Sequence, residues 1–261
     1  EEIALEIVEK HGRPDFITFT NVFAHIENLQ EVLRSLKRLI STKTTIVIEN
    51  HYLGSVIDGN QFDTFYHEHP RTYSHRSFVH MAITLDTQLI DVEFPSRYGG
   101  NIRVFLGNSI NTDYVGNVDL DTLELSEKKF FDDFSSLRIN IEKWLVMKQK
   151  FLREQFEKHG KLRAKAFPGR AAILVKLLGL DQDSISAVYE KPGSLKVGHY
   201  LPGTRIPICS DDDLFNLPDQ TLPLLNLAWH IPQEIRNYLT KHRYLGDVFD
   251  IIDQQEFKCK L

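Results

Sequence analysis

Apolar and polar residues follow one another with periods that change from helical to extended and back. In residues 1–12 the apolar side chains recur at helical spacing, and the run ends on a glycine. The segment "DFITFTNVF" is rich in aromatic and β-branched residues, which predicts a buried strand. An amphipathic helix over "ENLQEVLRSLKRLI" and a strand over "TKTTIVIEN" follow. This alternation of helix and strand is typical of α/β folds.

The middle of the chain combines two strands with a long helical stretch. Ser74 is placed to cap a helix over "SHRSFVHMAITL", and "QLIDVEFPS" and "NIRVFLG" predict two strands around "RYGG". Apolar residues recur from 123 to 158, which predicts one long helix or two that end at Gly160. A second α/β succession follows, with strands over "KLRAKAF", "SISAVYE" and "TLPLLNLAW" and helices over "RAAILVKLLGL" and "IPQEIRNYLTKH".

These elements predict an α/β protein of three parts. The expected parts are a partial Rossmann-like unit over 1–122, a helical linker over 123–160 and a second Rossmann-like unit over 161–261. Hydrophobic residues make up 42% of the 261 residues, which is enough for a sizeable core. We therefore expect globular units that pack around their own cores.

Composition and charge exclude several classes of protein. The net charge of −5 gives no basic surface for nucleic acid, and no apolar run is long enough for a membrane span. The two cysteines, Cys209 and Cys259, are too few for a cysteine-based zinc cluster or a disulfide framework. The first residues lack the features of a signal peptide. The sequence therefore predicts a cytoplasmic protein that binds neither nucleic acid nor membrane.

The segment "FDTFYHEHPRTYS", residues 62–74, concentrates ionisable side chains. If it is extended, His67 and His69 point to the same side and could bind a metal. A second interpretation is a polar loop with one hydrogen-bonded histidine. A third is proton transfer, because Tyr66, Glu68 and His69 could line one pocket in which a histidine removes a proton beside a carbonyl group. The residues alone leave these three interpretations open.

Polar side chains also follow the first predicted strand. Asn21, Phe23 and His25 come directly after it, and ligands of open α/β sheets bind beyond the carboxyl ends of strands. An equally simple interpretation is that Asn21 caps a turn and His25 lies in the first turn of a helix.

The C-terminal part has the elements of a nucleotide site. Gly169 opens a helix after a strand, and Glu190 ends the next strand, which suits a phosphate at a helix N-terminus and an acid near a ribose hydroxyl. The loop that follows offers further side chains for a diphosphate: Lys191, Lys196, Tyr200 and Thr204. A glycine-containing surface turn without a ligand is the alternative.

Taken together, several segments resemble the S-adenosylmethionine-dependent C-methyltransferases of deoxysugar biosynthesis. They are "NVFAHIENLQEVLRSLKRLI", "NQFDTFYHEH" with "YS", "YGGNIRVFLG", and "KVGHYLPGTRIPI" followed by "LAWHIPQEI". The resemblance implies that the first part is the C-terminal half of a methyltransferase domain. It also implies S-adenosyl-L-methionine as cofactor and a nucleotide-diphosphate-linked keto-deoxysugar as substrate. In the implied reaction a base removes the proton beside the ketone, and the resulting enolate takes the methyl group.

The resemblance further implies roles for individual residues. His69 is implied as the base, with Tyr66 and Glu68 beside it, and His25 as the residue that hydrogen-bonds the keto oxygen. Asn21 and Phe23 are the expected cofactor contacts. The expected substrate contacts are Gly99, Gly100, Asn101, Gly169, Glu190, Lys196, Tyr200 and Thr204. No metal site is implied, because the family's cysteine-rich zinc domain has no counterpart in this sequence.

The sequence departs from the family pattern at several positions. Tyr98 stands where the family has histidine, Glu190 where it has aspartate, and His230 where it has asparagine. The family's glycine-rich cofactor loop also has no counterpart here. We therefore expect that a separate chain or segment supplies the N-terminal half, or that this is a truncated, non-catalytic nucleotide-sugar-binding protein. In either case we expect this chain alone to bind the cofactor weakly.

Overall fold

The computed structural model describes residues 1–108 and 116–257, so Cys259 lies outside the described residues. The strands are β1 Phe16–Thr20, β2 Thr45–His51, β3 Gln88–Glu93, β4 Asn101–Gly107, β5 Leu162–Lys165, β6 Ile185–Glu190, β7 Ile208–Ser210, β8 Leu224–Asn226 and β9 Val248–Asp250. The α-helices are α1 Glu2–His11, α2 Leu29–Leu39, α3 Leu53–Asp58, α4 His75–Thr84, α5 Leu120–Glu127, α6 Phe130–His159, α7 Ala171–Leu178, α8 Asp211–Phe215 and α9 Pro232–Lys241.

The chain divides into two compact units, residues 1–136 and 137–261. The division falls inside α6, which is part of the stretch expected to be a helical linker. Each unit carries its own sheet with helices around it. The predicted α/β fold class is confirmed.

The first unit is built on a mixed sheet with the order β1-β2-β4-β3. Strands β1 and β2 are parallel, whereas β4 runs antiparallel to both β2 and β3. The core is apolar side chains from β2, β4, α2 and α4, among them Leu36, Ile48, Phe78 and Val104. The predicted cap of α4 is present, because the Ser74 side chain accepts from the backbone N–H of Ser77 in a capping box.

The expectation that β1 is a buried strand is wrong. None of its residues is buried, and the Phe16 side chain is 69% exposed. The reason is position in the sheet, because among residues 1–108 and 116–257 β1 is an edge strand that pairs with β2 alone. Aromatic and β-branched residues favour strands at an edge as well as in the middle of a sheet.

The second unit is built on a parallel sheet with the order β7-β6-β5-β8-β9. The chain moves outward from β5 to β7 and then returns to the other side of β5 with β8 and β9. The direction of winding therefore reverses between β5 and β8, which is the switch point beside which doubly wound sheets bind ligands. The short strands β7 and β9 were missed in the sequence.

Among the described residues, no helix is both long enough and apolar enough to cross a membrane.

Candidate functional site

Polar side chains of the first unit converge at one edge of its sheet. Asn21 follows β1, and His51 is the last residue of the parallel neighbour β2. Because β4 is antiparallel, its first residue, Asn101, pairs with His51 at the same edge. Sequence segments far apart in the chain therefore meet where β1 and β2 end and β4 begins.

His69 lies at the centre of an aromatic cluster at this edge. Its ring centroid is 4.8 Å from that of His25, 5.6 Å from that of His51 and 4.5 Å from that of Tyr66. The structure thus brings together the predicted base, His69, with His25 and Tyr66. His69 is half-buried, so a substrate can reach it while its ring is held by its neighbours.

The backbone of the 62–74 segment favours one tautomer of the neutral His69 ring. Its Nδ1 lies 3.2 Å from the carbonyl oxygen of Thr64. A carbonyl oxygen can only accept, so Nδ1 carries the hydrogen and the lone pair of the neutral ring is on Nε2. That tautomer suits a general base whose reacting atom is Nε2.

The H-x-H interpretation fails because residues 66–69 are not extended. The backbone N–H of His69 donates to the carbonyl oxygen of Tyr66 at 2.8 Å, which closes a turn. The His67 side chain is 83% exposed and lies 4.0 Å from Glu68. Among the residues that the structure describes, no group of three or more His, Cys, Asp or Glu side chains is arranged to hold a metal ion.

Glu68 is oriented toward Tyr66. The Tyr66 hydroxyl donates to the Glu68 carboxylate at 3.0 Å. Both side chains are predicted site residues, and this bond connects them at the rim of the histidine cluster. The contact holds the Tyr66 ring beside the His69 ring.

Gly99 and Gly100 form a turn that no other residue could occupy without strain. Their φ angles are 90° and 114°, values that L side chains rarely adopt. A Cβ on Gly99 would lie 2.5 Å from Gln61 Oε1, and one on Gly100 would lie 2.4 Å from Ser55 Oγ. The Gly99 carbonyl oxygen accepts from Gln61 Nε2 at 2.6 Å. The preceding Tyr98 also has a positive φ, 53°, and its side chain is exposed.

A buried carboxylate on β2 connects residues at this edge of the sheet. Glu49 accepts from Asn101 Nδ2 at 2.9 Å and from Arg103 Nη2 at 2.6 Å. Burial opposes the charge of Glu49, but the hydrogen bonds from Asn101 and Arg103 outweigh it and lower the pKa of Glu49 below its ordinary value. Asn101 Nδ2 also lies 3.2 Å from Asn21 Oδ1. Glu49 therefore holds both Asn101 and Asn21 in place.

The residues expected at the cofactor differ in their accessibility. Asn21 is half-buried at the strand edge, with a φ of 52°. Phe23 has no exposed surface, and its ring centroid lies 4.8 Å from that of Phe19. Its side chain could therefore contact a cofactor only after leaving the core. No glycine-rich turn follows β1 or β2, the two parallel strands described in this unit. The described residues therefore fit only a small part of a methyl-donor site.

His51 and Thr64 are site residues that the sequence reasoning missed. His51 ends β2 just as Asn21 follows β1, and the carboxyl ends of neighbouring parallel strands lie at one edge of a sheet. That rule could have identified His51. The role of Thr64 lies in its backbone carbonyl, for which its side chain gives no signal.

In the second unit, Glu190 and Lys196 meet at the carboxyl end of the parallel sheet. Glu190 accepts from the backbone N–H of Phe167 at 2.8 Å and lies 3.5 Å from Lys196 Nζ. Lys196 Nζ also donates to the Phe167 carbonyl oxygen at 2.5 Å. The left-handed residue of the loop after β5 is Ala166, with a φ of 62°, rather than Gly169. Both predicted side chains thus secure the loop that leads from β5 to α7.

Tyr200 and Thr204 are not brought to that loop. They line a cleft of about 760 Å³ together with Lys161, Ser186 and Arg205. Lys161 precedes β5 and Ser186 lies near the start of β6, so this cleft is at the amino ends of the strands. The structure therefore divides the predicted nucleotide contacts between two places in the second unit.

Both parts of the chain match known protein families. Residues 96–250 match the family described as "C-methyltransferase C-terminal domain", and residues 3–90 match "Methyltransferase domain". "C-methyltransferase NovU" of Streptomyces niveus is 26% identical over 238 residues, which is 90% of this chain and 56% of that protein. The chain thus spans about half the length of the curated relative that it matches.

Proposed function

Because the chain belongs to the C-methyltransferase family, we propose that it acts in the S-adenosylmethionine-dependent methylation of a carbon beside the ketone of a nucleotide-linked deoxysugar. The observation that carries this proposal is the cluster of His69 with His25, His51 and Tyr66 at the strand edge. Proton removal beside a carbonyl needs a base and a donor for the developing negative charge, and this cluster can supply both.

His69 is the proposed base, acting through Nε2. As the carbon–hydrogen bond breaks, the proton passes to Nε2 and the electron pair forms the enolate. The bond from Nδ1 to the Thr64 carbonyl fixes the ring and favours the imidazolium that results. His25 is the proposed partner of the oxygen on which the charge develops, since its ring is beside that of His69. S-adenosylmethionine, when bound, would supply the methyl group, and Asn21 is the proposed contact to it.

The sugar would lie against the turn formed by Gly99 and Gly100, with Asn101 at its base. Two successive residues without side chains let a ligand approach the backbone closely. In the second unit, we propose that Gly169, Glu190 and Lys196 mark the nucleotide site. The remainder of the cofactor site would come from a polypeptide segment or a separate chain, in keeping with the greater length of the relative.

Exchange of the substrate α-proton with deuterium tests the base directly, because it requires only proton removal. A set of nucleoside-diphosphate 4-keto-6-deoxyhexoses would be incubated with the chain in D₂O and followed by proton NMR. We expect exchange with the wild-type chain, and a rate lower by roughly 10²–10⁴-fold for His69→Ala.

His67→Ala is the matched control, because His67 is a mostly exposed histidine in the same turn. It should leave the exchange rate unchanged. Exchange that survives His69→Ala would remove His69 from the role of base. Binding of the nucleotide sugar without exchange would instead support the alternative, a non-catalytic nucleotide-sugar-binding protein.

A further inference from the structure

Glu127, the last residue of α5, is a buried carboxylate that none of the proposed steps uses. Its side chain is only 6% exposed. It accepts from the backbone N–H groups of His75 at 2.7 Å and Arg76 at 3.1 Å, the first two residues of α4. The first N–H groups of a helix have no partner within the helix and favour negative charge. Glu127 therefore satisfies the start of α4 from a different helix.

The third donor to Glu127 links it to the histidine cluster. The Tyr52 hydroxyl donates to Glu127 Oε1 at 3.2 Å. Burial and the charge of Glu127 raise the pKa of Tyr52, so the hydroxyl keeps its proton and remains the donor. Tyr52 directly follows His51, and successive side chains of an extended chain point to opposite faces. When Tyr52 is held on one face, the direction of His51 on the other is restricted.

The backbone around Tyr52 extends this anchor to two further parts of the site. The backbone N–H of Tyr52 donates to the carbonyl oxygen of Gly100 at 3.2 Å. The backbone N–H of Leu53 donates to the carbonyl oxygen of Tyr73 at 2.8 Å. The Tyr73 hydroxyl in turn donates to the carbonyl oxygen of Phe23 at 3.2 Å. A single side-chain anchor thus joins the end of β2, the glycine turn and the chain that leads into α4.

On the basis of the function proposed for the histidines, we propose that Glu127, acting through Tyr52, is a positioning residue that orients His51 toward His69. Neither Glu127 nor Tyr52 touches the reacting atoms in this view. Their effect is to fix the strand end from which His51 packs against the proposed base, since small displacements of a base slow a reaction strongly.

Histidine NMR tests this proposal without any turnover. In the wild-type chain the rings of His51 and His69, 5.6 Å apart between centroids, should give a nuclear Overhauser cross-peak. Glu127→Gln and Tyr52→Phe should lose most of that cross-peak and broaden the His51 signals. The contact between His25 and His69 serves as an internal reference and should be retained.

Glu124→Gln is the matched control, because Glu124 is an exposed glutamate in the same helix. It should leave the His51 signals as they are. If Glu127→Gln does not fold, Tyr52→Phe decides, since it removes one oxygen and keeps the ring. An unchanged His51–His69 cross-peak in a folded Tyr52→Phe chain would overturn the proposal.

Deuterium exchange then separates this proposal from the proposed function. With an active wild-type chain, Tyr52→Phe should lower the maximal exchange rate on the order of tenfold and leave the apparent KM nearly unchanged. A change in KM alone would contradict a positioning role. If the wild-type chain shows no exchange, the proposed function fails, and the NMR result still decides whether Glu127 orients His51.

Discussion

His75, the first residue of α4, is buried, and neither of its ring nitrogens has a hydrogen-bond partner in the part of the chain that the structure describes. Burial lowers the pKa of His75 from 6.5, although the charges of Glu127 and Glu124 oppose that change. As the pH falls below 6.5, the unfolded chain therefore binds more protons than the folded chain. The stability that depends on a neutral His75 is complete above pH 6.5 and is lost as the pH falls through its folded-state pKa.

We expect His75→Leu to make the first unit less sensitive to acid. Leucine has a similar volume and leaves no buried polar atom without a partner, a defect that costs about 1–3 kcal/mol. The free energy of unfolding should be no lower than that of the wild-type chain above pH 6.5, and it should decline less steeply below. Chemical denaturation across this range measures both. His80→Leu, at an exposed position of the same helix, should keep the wild-type slope, and an equal slope for His75→Leu would contradict the assignment.

At the scale of single residues, the sequence predicts which residues belong to the candidate site better than it predicts how their side chains are arranged. The resemblance selects His69 over His67, and the structure places His69 among three other rings and His67 in solvent. The spacing rule for an extended chain could not make that distinction, because residues 66–69 form a turn. A contact made by a backbone carbonyl, such as that of Thr64, depends on tertiary structure and leaves no trace in the side-chain pattern.

At the scale of elements, long periodic segments are predicted well and short ones are not. The helical periods give α2, α4 and α6, and the β-branched runs give β2 and β4. The three-residue strands β7 and β9 are too short to show a period, whereas the equally short β8 is predicted because it lies within the longer apolar run "TLPLLNLAW". Burial of β1 was predicted wrongly because strand composition does not reveal which strand lies at a sheet edge.

The end of the parallel sheet at which the proposed nucleotide would bind is a second prediction at the scale of elements. Glu190 and Lys196 mark the carboxyl end, whereas Tyr200 and Arg205 line the cleft at the amino end. Ligands of doubly wound sheets bind at the carboxyl ends of the strands, so we expect the site at Lys196. The sequence position of Lys196 does not show at which end of the sheet the nucleotide would bind, because the loop that carries Lys196 turns back along the sheet.

Calorimetric titration with uridine, thymidine and guanosine diphosphates can distinguish these two ends. Removing a cation that pairs with a phosphate should weaken binding by about tenfold or more. We therefore expect Lys196→Met to weaken binding, and Arg205→Met, a matched loss of one positive charge in the same unit, to leave it unchanged. The reverse result would place the nucleotide in the cleft of Tyr200 and Thr204.

For the molecule as a whole, the proposed reaction separates into two partial reactions that this chain should perform unequally. In the proposed reaction, proton removal would use His69, whose ring lies beside those of His25 and Tyr66. Methyl transfer also needs a bound methyl donor, and the described strands of the first unit offer Asn21 without a glycine-rich turn. The two proposed partial reactions therefore depend on different groups of residues, and the chain spans about half the length of the relative that it matches.

We accordingly expect that this chain alone binds S-adenosylmethionine with a dissociation constant weaker than about 1 mM, while it still exchanges the substrate α-proton. Calorimetric titration of the purified chain with S-adenosylmethionine measures the first quantity, and deuterium exchange of the keto sugar measures the second. The His69→Ala chain is the control, because it should lose the exchange without any change in the titration. Saturable micromolar binding would contradict this expectation and show that the residues present suffice for the cofactor. A thousandfold difference in affinity corresponds to about 4 kcal/mol, which contacts at the strand edge around Asn21 would then have to provide.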